Sequence, residues 1–173
     1  MEKDDLARRI REAAYLEGDF VLRSGRRSKY YLDKYLFAAR PDILAELARR
    51  FAERLGDAEL IAGAELGAVS LAAATSLAAG TPFVIVRKAA KGYGTDKQIE
   101  GPDVAGRRVM LVEDIGTTAG AALEAARVLE DAGATVTQIV FAVDRREGAG
   151  ENVEAAGYAF DAMLTRDDIE RAG

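Results

Sequence analysis

Four consecutive apolar residues, Val109, Met110, Leu111 and Val112, run straight into two acids, Glu113 and Asp114, and then into the small turn Gly116-Thr117-Thr118-Ala119-Gly120. No other stretch narrows the fold as much. A strand with one wet face alternates apolar and polar residues, whereas a parallel strand buried on both faces reads as a short unbroken apolar run. An alanine-rich helical pattern follows at once, so the unit is strand, turn, helix, with the acids at the carboxyl end of a central strand. Ligands of open α/β sheets bind at that edge. Gly116 and Gly120 admit backbone conformations closed to other residues, and Thr117 and Thr118 bring hydroxyls. With the positive end of a helix dipole behind it, such a turn suits a phosphate.

The same alternation continues on both sides. Residues 60–62 form a short strand ending at Gly63, with an alanine-rich helix to about residue 79; residues 82–86 form a second strand that runs into Arg87-Lys88. Residues 88–106 carry four glycines and many charges without periodicity, which predicts a long loop of the kind that covers or binds ligands. The helix after the acid pair runs to Gly133, a fourth strand spans 136–143, and the tail offers a helix at 149–156, a strand at 158–164 and a last helix after Thr165. Ahead of this region, Leu6, Ile10, Ala13, Ala14 and Tyr15 mark one face of a helix over 3–17 stopped by Gly18. Two β-prone arms at 20–33 flank Ser24-Gly25 as a hairpin, and Pro41 opens a helix that faces inward with Ile43, Leu44, Leu47, Phe51 and Leu55. The fold class is therefore α/β, with a mostly parallel central sheet flanked by helices and a small N-terminal hairpin. One domain is expected over 1–173: a helix and hairpin in 1–40, an α/β core in 41–148 and a C-terminal extension in 149–173.

Chemistry is bounded by what is missing. The chain has no cysteine and no histidine, so thiolate chemistry, disulfides and the commonest neutral-pH acid–base group are excluded. A net charge of −5 argues against a nucleic-acid partner. The absence of a long uncharged apolar run and of a signal-peptide pattern points to a cytoplasmic protein without a membrane partner. Against the acidic background, basic clusters at 23–29 and 87–97 point to a small polyanionic ligand.

Residues 64–67, Arg87-Lys88, 113–120 and Asp144-Arg145 all follow strands, so a parallel sheet brings them to one edge. Residues 109–121 resemble the motif of the type I phosphoribosyltransferases for phosphoribosyl pyrophosphate (PRPP), with Ala119 in place of the usual first glycine of the turn. Phe20-Val-Leu-Arg-Ser-Gly-Arg-Arg-Ser-Lys-Tyr-Tyr-Leu-Asp33, Val86-Arg-Lys-Ala-Ala-Lys-Gly-Tyr-Gly94 and Val143-Asp-Arg-Arg-Glu147 are similar to the orotate branch of that family. The resemblance implies transfer of the phosphoribosyl group from PRPP to orotate, with Mg²⁺ held mainly by PRPP and water rather than by protein ligands. It implies a homodimer in which a mobile catalytic loop at 88–106 serves the neighbouring subunit, and a hairpin that closes over the site as a hood.

Residue by residue, it gives catalytic roles to Glu113, Asp114, Lys88 and Lys91. PRPP contacts fall to Arg87, Lys88, Lys91, Tyr93, Glu113, Asp114, Ile115, Gly116, Thr117, Thr118, Ala119, Gly120 and Ala121. Orotate contacts fall to Thr117, Arg145, Tyr31, Leu32 and Arg23. Tyr93 stands where many relatives carry histidine, and Glu65-Leu66 where some carry a lysine beside pyrophosphate. Two other readings stay open: transfer to another base, and a non-catalytic nucleotide sensor on the same fold. Arg145 alone could equally pair with Asp144 or Glu147 at the surface.

Overall fold

The structure is a computed structural model and describes residues 1–21, 25, 27–89 and 97–173. It opens with α1 (Lys3–Ala14), whose Leu6, Ala7, Ile10 and Ala14 form the buried stripe. The helix stops at Ala14, not at Gly18. Tyr15 instead begins β1 (Tyr15–Val21), which pairs antiparallel with β2 (Arg27–Leu32). The Tyr15 ring lies flat on Tyr30, with centroids 5.0 Å apart and planes 5° apart. A cross-strand aromatic pair of this kind outweighs the weak helical preference of one residue, and helical periodicity does not report it.

Next comes α2 (Lys34–Ala38), capped by Asp33, whose carboxylate accepts from the Tyr35 N–H at 2.9 Å. At five residues it is too short to leave a periodic signal in the sequence. α3 (Pro41–Ala52) starts at its proline and buries Ile43, Leu47 and Phe51 as expected.

The remaining elements are β3 (Leu60–Ala64), α4 (Val69–Ala79), β4 (Phe83–Val86), β5 (Ile99–Glu100), β6 (Arg108–Gly116), α5 (Gly120–Asp131), β7 (Thr135–Asp144), α6 (Ala149–Ala155), β8 (Ala159–Thr165) and α7 (Arg166–Arg171). Among the described residues they build a six-stranded sheet in the order β5-β4-β3-β6-β7-β8. All neighbours are parallel except β4 and β5, where Ile85 faces Glu100 and Val86 faces Ile99. This short antiparallel strand lies inside the stretch expected to be all loop.

β6 explains why the acid pair sits where it does. Val109 and Leu111 belong to one apolar cluster with α5, while Met110 and Val112 belong to another with α3 and α4. The strand is buried on both faces, as its unbroken apolar run requires. Fully burying one aliphatic side chain is worth about 1.5–3 kcal/mol, so β3, β6 and β7 carry far more of the stability than the two-stranded hairpin. From β3 the chain moves outward to β4; from β6 it moves outward the other way to β7. The crevice between the carboxyl ends of β3 and β6 is thus a topological switch point, where open sheets bind ligands.

Candidate active site

Glu113 and Asp114 occupy the last part of β6 and are both buried. One Asp114 oxygen, Oδ1, accepts from the Ile115 N–H at 2.6 Å. The other, Oδ2, lies 2.9 Å from the Lys34 ammonium. Burial works against the charged form of Lys34, but the charge and hydrogen bond of Asp114, together with Tyr35 and Glu113, outweigh it and the lysine pKa is raised. Burial and then the neighbouring Asp114 charge push the Glu113 carboxyl well above the usual range, with Lys34 offsetting part of the effect. The result is a sheltered acidic corner with acceptor oxygens for hydroxyl donors such as a ribose diol.

The turn after the acids is held from three sides. At Gly116 an added Cβ would meet Ala149 Cβ at 3.0 Å and Phe141 Cδ1 at 3.1 Å, so β6 and α6 approach only because no side chain intervenes. The Asn152 amide on α6 donates to the Thr118 carbonyl at 3.0 Å. Ala119 takes a left-handed conformation, φ 61° and ψ 15°, at a strain of about 1–2 kcal/mol for an L-residue with a Cβ. The turn therefore keeps the shape that a glycine would adopt freely. α5 begins with the Leu123 N–H donating to the Ala119 carbonyl at 2.9 Å, so the N–H groups of residues 120–122 have no acceptor within the helix. Those donors and the helix dipole make an anion site of the turn.

The neighbouring strand ends reach the same edge. Gly116 is in register with Asp144 and Ala64 with Val86. Beyond β3, Glu65 bridges to the next strand end: its N–H donates to the Val86 carbonyl at 2.9 Å, and its carboxylate accepts from the Lys88 N–H at 2.6 Å. The Arg87 N–H donates to the Gln98 carbonyl at 2.8 Å, which ties the start of the charged loop to its return. The Lys88 side chain is exposed.

Arg145 follows β7, and its N–H donates to the Gly116 carbonyl at 2.9 Å. Its guanidinium is only 8% exposed as a residue. Nη2 donates to the Tyr30 hydroxyl at 3.1 Å and lies 3.0 Å from the Glu147 carboxylate, with the Tyr30 ring 5.2 Å away. Nε has no hydrogen-bond partner among the described residues. A guanidinium is a planar donor group of the kind that pairs with a carboxylate.

Of the residues singled out from sequence, Glu113, Asp114, residues 115–121, Arg87, Lys88 and Arg145 therefore lie along one sheet edge. Tyr31 is 40% exposed and packs on Phe20, whereas Leu32 points into the core with α1; consecutive strand residues face opposite sides. Arg23, Lys91 and Tyr93 lie outside the described residues. The structure adds Lys34, Tyr30 and Asn152; Lys34 and Asn152 lie outside every stretch singled out from sequence. Only Tyr30 had a signal, because one tyrosine of the 30–31 pair had to face inward.

The phosphoribosyl transferase domain family matches residues 37–157. The chain is 44% identical to the orotate phosphoribosyltransferase of Natronomonas pharaonis, over 98% of each. It is 45% identical to that of Halobacterium salinarum, over 96% of this chain and 95% of the relative. Among solved structures it is similar to Mycobacterium tuberculosis orotate phosphoribosyltransferase in complex with PRPP, with a TM-score of 0.83, 32% identity and coverage of 97% of this chain and 98% of that one. A parallel sheet with its acid pair, phosphate turn and buried arginine at one edge, and relatives that agree from end to end, have one explanation: the chain belongs to the orotate phosphoribosyltransferase family.

Proposed function

We propose that the protein transfers the 5-phosphoribosyl group of PRPP to orotate, giving orotidine 5′-monophosphate and pyrophosphate in pyrimidine synthesis. The observation that carries this reading is the buried Arg145 guanidinium on the same edge as the acid pair, tied by its own N–H to the Gly116 carbonyl at 2.9 Å. The 5′-phosphate rests on the turn of residues 115–121, where helix N–H groups and the Thr117 and Thr118 hydroxyls donate to it. Glu113 and Asp114 accept from the ribose hydroxyls. Arg87 and Lys88, with Lys91 and Tyr93 from the loop, receive the pyrophosphate. Arg145 pairs with the orotate carboxylate, Thr117 adds a contact, and Tyr31 and Arg23 of the hood border the base, while Leu32 packs into the core behind them.

With the two substrates so held, the orotate ring nitrogen bonds to the anomeric carbon as the bond to pyrophosphate breaks. The ring N–H proton passes to water, and the bonding pair leaves with the pyrophosphate oxygen. Positive charge develops on the ribose and negative charge on the leaving group, so fixed charges and dipoles are what the protein has to supply. No histidine or protein nucleophile is obligatory for this step, and the chain has no histidine.

Mg²⁺ fits as an ion brought by PRPP. Among the described residues no group of three acidic or histidine ligands could cage a metal, and one of the two acids is already engaged with Lys34. Mg²⁺ prefers phosphate oxygens and retained waters; when bound, it offsets charge on the pyrophosphate. We further propose that residues 1–173 act as one domain, with the hood in 1–40, the core in 41–148 and the tail in 149–173. The catalytic loop at 88–106 then serves the second subunit of a homodimer. Among the described residues no helix is long and apolar enough to cross a membrane.

A base panel tests the reaction: purified protein is mixed with PRPP, Mg²⁺ and one base at a time, and orotate absorbance is followed. Consumption of orotate is expected; turnover of another base without orotate sinks the assignment. Sharing of the loop is tested by mixing Lys91→Ala protein with Arg145→Ala protein. Each is expected to be nearly inactive alone, and the mixture to regain up to about a quarter of wild-type activity through one intact site per mixed dimer. A mixture that forms mixed dimers yet stays inactive would rule out loop exchange.

A further inference from the structure

The acid pair has a partner from outside the sheet. Lys34 is the first residue of α2, and its ammonium reaches the Asp114 carboxylate at 2.9 Å. The two ends of this pair differ: the Lys34 side chain is 36% exposed, while that of Asp114 is 4% exposed. Exposed ion pairs contribute little to stability. Here, however, one member is sealed inside and faces a second carboxylate, Glu113, that burial already makes hard to ionise.

Three details define where the carboxylate can lie. Its Oδ1 is held by the Ile115 N–H at 2.6 Å and its Oδ2 by Lys34, so both the plane and the direction of the group are set. Lys34 is itself fixed at its root by the Asp33 cap, and its ammonium lies 5.6 Å from the centre of the Tyr35 ring. Finally, an added Cβ at Gly67 would collide with Asp114 Oδ2 and come within 2.9 Å of Lys34 Nζ. The loop after β3 passes too close to this pair at Gly67 to carry a side chain there.

We propose that Lys34 is the positioning residue of the acid pair, holding Asp114 at the β6 end in the orientation in which it meets the ribose hydroxyls. This rests on the phosphoribosyl-transfer reading. Two carboxylates side by side attract hydroxyl donors but repel a polyanion. A cation set against them removes much of that repulsion without filling the acceptor edge. The charged and titratable groups around the pair are Lys34, Glu113, Asp114 and Tyr35. An ammonium has three donors, so Lys34 can keep Asp114 while a phosphate oxygen approaches from its exposed side.

The test compares full-length wild-type protein with Lys34→Met, which keeps the length and removes the charge, and with Lys34→Arg. In Lys34→Met the KM for PRPP is expected to rise about tenfold, with the KM for orotate within about twofold; Lys34→Arg should recover most of the loss. In the ligand-free proteins, a carbon-13 NMR titration of the carboxyl groups should place the Glu113 midpoint higher in Lys34→Met than in wild type. A PRPP KM within twofold of wild type overturns the proposal. So does an equal loss for both substrates with a lower thermal midpoint that arginine does not restore, since that is a purely structural role. The titration uses no substrate: if the wild type fails to turn over orotate, the functional reading falls, and an unmoved Glu113 midpoint still overturns the role of Lys34.

Discussion

Replacing Gly67 with alanine is expected to lower turnover about a hundredfold while shifting the thermal midpoint by only a few degrees. The new Cβ would collide with Asp114 Oδ2 and lie 2.9 Å from Lys34 Nζ and 3.0 Å from Lys34 Cε. All three atoms belong to side-chain ends, so the fold can absorb the intrusion by moving them. The reacting geometry cannot, because the Asp114 carboxylate, proposed above to meet the ribose, is pushed out of place. Gly63 makes a useful contrast. There the nearest atom to an added Cβ is the Ala68 carbonyl oxygen at 2.7 Å, and backbone has to give. Turnover at saturating PRPP, read beside a thermal melt, separates the two cases. Wild-type turnover in Gly67→Ala would place Asp114 outside the chemistry.

Arg145→Ala is expected to raise the KM for orotate by about two orders of magnitude and the KM for PRPP by no more than a few fold. Losing one member of a buried, hydrogen-bonded charge pair typically costs about 2–5 kcal/mol, and here the loss also exposes the ligand to Glu147, which lies 3.0 Å from the arginine. The substitution therefore removes an attraction and leaves a repulsion. Arg145→Lys should restore little, because an ammonium cannot make two parallel bonds to a carboxylate. Steady-state kinetics with each substrate varied in turn decides the matter; an equal rise in both KM values would contradict a role specific to orotate.

The sheet was legible because its strands obey a simple rule: a strand buried on both faces has to be apolar without interruption, and residues 109–112 and 139–143 are. The convergence of residues 64–67, 87–88, 113–120 and 144–145 followed from parallel topology alone. What stayed hidden depends on contacts across distant parts of the chain. Lys34 has no periodic neighbour and sits in a helix of a single turn or so. The end of α1 is set by a ring stack with Tyr30, fifteen residues downstream. Leu32 reads like its neighbour Tyr31 in the sequence, yet strand alternation sends the two to opposite sides. Ala119 is a different case: its departure from glycine was visible, but only the backbone reveals that the turn keeps its left-handed bend at the expense of strain.

In the ligand-free protein, Asp114 is held by Lys34 and Arg145 by Tyr30 and Glu147. Lys34 and Tyr30 reach the edge from neighbouring segments, while Glu147 follows Arg145 by two residues in the chain. Binding at Arg145 is accordingly an exchange reaction, in which a newcomer competes with the Glu147 carboxylate already in position. A chloride or sulfate ion offers Arg145 little that Glu147 does not. Selection among anions thus begins before the substrate arrives, through what the empty site already holds.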